Sequence, residues 1–185
     1  MPAWPVAERL PLADPAASTP RLAGLFDAHQ PALYRLARRL TPTRDDALDL
    51  VQETFLKAAA HVDGVPAGER NEEAWLVRVL VNLQRDRWRR RSVRERHARA
   101  RQAESPPRSE DAPAVTSVIV WQALDRLSPR RRAIVILREL DGRTTDDIAA
   151  LLGIARVTVR WHLARARAQL AAWLQPLGDS PRRTR

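Results

Sequence analysis

The stretch Thr144 to Leu170, TTDDIAALLGIARVTVRWHLARARAQL, decides the fold. Thr144 is placed to accept from the backbone N–H three residues on, Asp147 falls where an acid suits the positive helix end, and Ile148, Ala149, Leu151 and Leu152 form an apolar stripe. This predicts a short helix. Gly153 occupies the position where helices stop with positive φ, Ile154 closes the corner, and a second helix starts at Ala155 or Arg156. On that helix Val159, Leu163, Ala166 and Leu170 share a narrow arc, with His162 on its flank, while Arg160, Trp161, Ala164, Arg165 and Arg167 lie outside it. Two helices with a glycine turn, the second facing arginines outward, match a helix-turn-helix whose second helix enters the DNA major groove. The planar fork of arginine suits this, gripping guanine O6 and N7 bidentately or holding a phosphate. A helical hairpin with a solvated charged face would share the pattern, but Trp161 among the arginines asks for a partner surface.

Around this stretch the composition narrows the function. The 185 residues are 44% hydrophobic, enough for one or two cored domains, and the formal net charge of +10 points to a polyanion, nucleic acid before membrane. Lys57 is the only lysine among 32 basic residues, a bias that a GC-rich genome would also produce. Cysteine is absent, and the four histidines, His29, His61, His97 and His162, show no ligand spacing. We therefore expect no metal, no cofactor and no catalytic residue. No apolar run approaches the roughly 20 residues that span a bilayer, and the N-terminus has no signal-peptide core, so membrane insertion is not expected and a cytoplasmic location is.

In chain order, the prolines at 2, 5, 11, 15 and 20 predict a flexible leader over 1–20 without a regular helix. Leu22, Leu25 and Phe26 then begin a helical stripe, Pro31 suits the first turn of a new helix, and Leu33, Leu36, Ala37 and Leu40 continue it. Thr41, Pro42 and Thr43 break the pattern, and Thr43 or Asp45 can cap the next helix, DDALDLVQETFLKAAAHV. There Ala47, Leu50, Val51, Thr54, Phe55 and Ala58 share a face, with Asp46, Asp49, Gln52 and Glu53 on another. An acidic face in a basic chain is either a solvated surface or a docking site for a basic protein.

The segment DGVPAGERN, Asp63 to Asn71, is a loop by its turn formers. The next helix carries a stripe of Trp75, Leu76, Val79, Leu80 and Leu83, with Arg78, Asn82, Arg85 and Arg89 leaving it. Between Ala74 and Arg101 ten arginines face only Asp86 and Glu95, a net +8 that is the footprint expected of a phosphate-backbone contact. Gln102 to Pro113, QAESPPRSEDAP, loses the periodicity and marks a linker. Beyond it Val118, Trp121, Leu124 and Leu127 form a stripe that breaks at Ser128 and Pro129. RRRAIVILREL resumes it until Asp141 and Gly142, and the tail after Trp173, with Pro176 and Pro181, is expected to fray. The expected fold is all-α: two small helical domains, 21–97 and 115–177, joined by a flexible linker over 98–114, the second domain a helix-turn-helix and residues 178–185 a basic tail.

With both halves laid out, the chain resembles a bacterial RNA polymerase sigma factor of the extracytoplasmic-function group. The likeness rests on LVQETFLKA (Leu50 to Ala58), AWLVRVLVNLQRDRWRRR (Ala74 to Arg91) and the block from Ala123 through LSPRRRAIVILREL to TVRWHLARAR, in this order and spacing. It implies that Asp49, Gln52 and Glu53 dock on the clamp helices of the largest subunit of the core polymerase, although Leu48 stands where the family more often has an acid. It further implies that Asn82, Arg85 and Arg89 read the downstream promoter element, with Val65 to Arg70 holding an extruded base. Arg156, Arg160, Trp161, Ala164, Arg165 and Arg167 would face the upstream element. An anti-sigma factor is a further candidate partner. The rival from the residues alone is a stand-alone helix-turn-helix regulator with a dimerising or sensing helical domain, and a more distant one is a nucleic-acid enzyme, for which no nucleophile motif or phosphate-binding Gly loop is found.

Overall fold

In the computed structural model, which describes residues 15–99 and 122–178, every extended element is a helix. The order is α1 (Pro15–Leu40), α2 (Arg44–Ala60), a 3-10 turn (Val62–Gly64), α3 (Glu69–Arg99), α4 (Pro129–Val135) running into a π-helical turn (Ile136–Leu140), α5 (Thr145–Leu152) and α6 (Arg156–Gly178). The expected linker falls almost wholly outside the described residues, as do Val118 and Trp121.

Helix α2 forms as its sequence dictates. Thr43 caps it, its hydroxyl accepting from the Asp46 N–H at 3.0 Å, and Ala47, Leu50, Val51, Thr54, Phe55 and Ala58 are all buried. Thr54 satisfies its buried hydroxyl by donating to the Leu50 carbonyl at 2.8 Å. Helix α3 is apolar on more than one side: Leu76 and Leu80 are fully buried, and Ala74, Val77 and Val81 are buried beside them. The predicted stripe was too narrow because α3 packs against α1 and α2 on one side and against α4 and α5 on the other. One continuous hydrophobic cluster results, running from Leu33 and Leu50 through Leu80 to Ile134, Ile148 and Val159. Burying each such leucine or isoleucine contributes about 1.5–3 kcal/mol relative to exposure.

Three expectations are corrected. The leader was expected to lack a regular helix, yet α1 starts at Pro15 and runs through Pro20 and Pro31 without the restart anticipated at Pro31. Pro15 lacks only an N–H that a first-turn residue cannot use, and Pro20 and Pro31 lie on the exposed side, where water can take up the carbonyls they leave unpaired. Leu25, His29, Leu33 and Leu36 keep one buried stripe across Pro31. Second, α3 begins at Glu69, so the loop before it is shorter than Asp63 to Asn71. Gly68, at φ 97°, makes the turn, and its carbonyl accepts from the N–H groups of Asn71 and Glu72. Third, α6 does not fray after Trp173 but continues to Gly178. Its last described side chain, Trp173, is held half-buried under the Arg126 guanidinium, 5.2 Å from the ring centroid.

The π-helical turn was not legible in RRRAIVILREL. Its wider ring, closed by the Asp141 N–H on the Ile136 carbonyl at 3.1 Å, and Gly142 at φ 65° turn the chain so that Asp141 and Arg143 both face the first half. Asp141 accepts from Arg39 of α1, and Arg143 donates to Glu73 of α3. Arg132, buried on α4, donates through Nε to the Arg39 carbonyl at 2.9 Å and through Nη1 to Asp125. A cation at the C-terminal end of α1 suits the negative pole of that helix.

Candidate nucleic-acid interface

The helix-turn-helix is built by its caps. Thr144 accepts from the Asp147 N–H at 3.1 Å while the Asp147 carboxylate accepts from the Thr144 N–H at 3.2 Å and from its hydroxyl at 2.6 Å, a reciprocal box. Hydrogen bonding from Thr144, side chain first and backbone second, holds the Asp147 carboxyl below the usual aspartate range. Gly153 adopts φ 62°, and a Cβ there would sit 3.1 Å from Nη1 of Arg78. The turn therefore rests directly on the α3 arginine, and α6 leaves it at Arg156.

On α6 Val159, Leu163 and Ala166 are buried and Leu170 is half-buried, whereas Arg156, Arg160, Trp161, Ala164, Arg165 and Arg167 are exposed. At 3.6 residues per turn Arg156, Arg160 and Arg167 line one edge of the outward face, and Trp161 and Arg165 lie toward the other. Arg156 is held 3.3 Å from Asp146 and Arg167 2.8 Å from Glu139, so each is oriented by its own unit. Trp161, 54% exposed, packs one side on the Arg131 guanidinium, 5.5 Å from its centroid, and meets the His162 ring edge-on at 4.9 Å. Burial, and then the charges of Arg130 and Arg131, push the His162 pKa down, which keeps the imidazole neutral near pH 7. Val157 was not singled out from the sequence. It is 64% exposed at the start of α6 and offers apolar contact of the kind that suits a thymine methyl.

On α3 Asn82 and Arg89 are exposed and Arg85 is half-buried, the three spaced to share one side of the helix. Trp88, 42% exposed between Arg87 and Arg89, is a second aromatic among arginines that the sequence reading passed over. Of the stretch Val65 to Arg70, Val65 is buried with its carbonyl accepting from Arg21, and the rest is exposed, with residues 69 and 70 already on α3.

The outer face of α2 presents Asp49, Gln52 and Glu53 to solvent. Glu53 pairs with Arg87 at 3.1 Å, which joins the acidic face to the arginine-rich helix. Leu48 and Leu56 are exposed about two turns apart on one row with Gln52 between them, so the surface is an apolar ridge flanked by acids rather than a purely acidic one. The same spacing that buries Ala47, Leu50 and Val51 leaves Leu48 and Leu56 on the outer face, so the ridge was present in the pattern, where the acids beside it dominated. Among the described residues no group of His, Asp and Glu is placed to hold a metal, and no helix is long and apolar enough to cross a membrane.

Comparison with known proteins covers both halves. The model described as Sigma-70 region 2 matches residues 25–94, and that described as Sigma-70, region 4 matches residues 117–170. The ECF RNA polymerase sigma factor SigL of Mycobacterium tuberculosis is 34% identical over 168 residues, covering 88% of this chain and 94% of that protein. SigE of Mycolicibacterium smegmatis, also an ECF RNA polymerase sigma factor, is 34% identical over 164 residues, covering 85% of this chain but 63% of that relative. The sigma factor RpoE of Bartonella quintana, solved in complex with the anti-sigma factor NepR, superposes with a TM-score of 0.58 at 29% identity, covering 85% of this chain and 96% of that one. Joined to a helix-turn-helix whose recognition helix turns arginines outward, these matches place the chain in the extracytoplasmic-function (ECF) group of RNA polymerase sigma factors, which direct transcription initiation.

Proposed function

We propose that this sigma factor works by binding alone, in the cytoplasm, with phosphodiester synthesis left to the polymerase. The α2 ridge of Leu48, Gln52 and Leu56, with Asp49 and Glu53, docks on the clamp helices of the core polymerase. Asn82, Arg85 and Arg89 of the 21–97 unit face the downstream element, and the α6 residues Arg156, Arg160, Trp161, Arg165 and Arg167 of the 115–177 unit face the upstream element. The observation that carries this reading is the sorting of side chains on α6: Val159, Leu163 and Ala166 buried, the arginines and Trp161 exposed. Arginine-rich surfaces alone bind DNA weakly and in a salt-dependent way, whereas holding both units on one enzyme makes the second contact effectively intramolecular. Melting follows from capturing unstacked bases at an unpairing cost of a few kcal/mol, offset by contacts to base and backbone. The solved relative bound to an anti-sigma factor supports the same class of partner here.

The test is promoter binding with and without core polymerase. The purified chain is expected to show little specific binding alone and strong specific binding with core. Tight, specific binding by the free chain at paired half-sites would instead favour a stand-alone regulator.

A further inference from the structure

At about 100° per residue, Val157, Trp161, Ala164 and Ala168 fall on one row of α6, facing away from the buried Val159, Leu163 and Ala166. All four are exposed, so the middle of the outward face is apolar and the arginines stand to its sides. Arg156, Arg160 and Arg167 border the row along one edge, and Arg165 stands along the other. Val157 is 64% exposed, more than any other large apolar side chain among the described residues. A single exposed valine would mean little, but Trp161 continues the row one turn on, at 54% exposure. The Trp161 ring is held by the Arg131 guanidinium and by the edge-on His162 ring, which fixes the shape of the row. Arg156 and Arg167 are anchored at its edge by Asp146 and Glu139.

An apolar strip between cations fits poorly against the apolar face of another protein, which would have to desolvate the arginines beside it. It fits the floor of a major groove, which lies between two rows of phosphates. Of the groups that base pairs present there, only the thymine C5-methyl is apolar. The row begins in the first turn of α6, the part of a recognition helix that reaches base edges. We propose that Val157 is a specificity-determining residue whose isopropyl group packs on the C5-methyl of a thymine in the upstream element. The contact selects thymine against cytosine, whose C5 carries only hydrogen and whose N4 amino group would meet no acceptor on Val157. This inference rests on the assignment of α6 to the upstream element and adds to it one residue and the base it reads.

The experiment uses core polymerase loaded with the full chain and duplex promoter fragments chosen by run-off transcription. Each thymine of the upstream element, on either strand, is replaced in turn by deoxyuridine, which removes only the C5-methyl. Affinity is measured for wild type, Val157→Ser, Val157→Thr and Arg160→Ala. At one position the wild-type complex is expected to bind the uracil fragment about fourfold more weakly, the contribution of one buried methyl group. Val157→Ser should bind the thymine fragment more weakly than wild type and be indifferent to the replacement at that position. Val157→Thr, which keeps one methyl, should retain the response. Because Val157 is exposed, both variants are expected to fold and to bind core polymerase as wild type does. The proposal is overturned if no replacement separates wild type from Val157→Ser or if the element holds no thymine. It is overturned equally if Val157→Ser loses affinity for core polymerase itself, which would make the row a protein contact. Any of these results alongside weakened promoter binding by Arg160→Ala removes the thymine contact alone. Unchanged promoter binding by Arg160→Ala and Val157→Ser alike removes the upstream assignment as well.

Discussion

Arg160 stands on the exposed edge of α6 with Arg156 and Arg167, and unlike those two it is not tied to Asp146 or Glu139. Its fork is therefore ready for a base edge. Arg160→Ala should cost about 1–3 kcal/mol at the upstream element, measured as promoter affinity of the polymerase complex, and unchanged promoter selection would remove the assignment. His162 behaves differently. Its folded-state pKa is depressed, so the unfolded chain binds a proton more readily, and stability present above the ordinary histidine range of about 6.5 falls as pH drops through it. The unfolding midpoint of wild type should thus decline between about pH 7.5 and 5.5 by more than that of His162→Gln. Residue identity made the α6 face legible in advance, since the arc of Val159, Leu163 and Ala166 fixes which side is left for the arginines. The same spacing puts Val157 and Trp88 nearly opposite the stripes predicted for their helices, so their exposure was legible too, but spacing alone does not say what an exposed apolar side chain would contact.

At the scale of elements the caps carry the helix-turn-helix. Thr144→Ala removes half of the reciprocal box and should destabilise the second half by about 1 kcal/mol, read by chemical denaturation. Gly153→Ala should cost more, about 1–3 kcal/mol, because it combines a left-handed backbone with a Cβ pressed against Arg78. Equal stability of the alanine variant would mean that the turn does not rest on α3. These caps were readable from Thr144, Asp147 and Gly153 because capping depends on local spacing. The unbroken α1 and the π-helical turn were not, since whether a helix tolerates Pro31 or widens at Ile136 is settled by what packs around it. The same limit explains α3, whose second buried side of Ala74, Val77 and Val81 exists only because the other half covers it.

Across the whole molecule the two halves share one hydrophobic cluster, and polar contacts cross between them at Arg39–Asp141, Arg143–Glu73 and Arg132 on the Arg39 carbonyl. Of these the Arg132 contact is buried and should matter most. Arg132→Met is expected to lower stability by about 2–3 kcal/mol by leaving the α1 carbonyl without its donor, whereas Glu73→Gln, at a more exposed pair, should cost about 1 kcal/mol or less. On the opposite side of the first half the α2 ridge remains open, which is where core polymerase is expected to dock. Changing Asp49 and Glu53 together to lysine should weaken co-purification with core polymerase while leaving the fold intact, because both side chains are exposed. The most direct measurement of the central claim is run-off transcription from genomic fragments by core polymerase with and without this chain. Defined transcripts that appear only when the chain is added, and that are lost with the paired lysine variant, are the predicted result. Identical initiation by core polymerase in its presence and absence would contradict it.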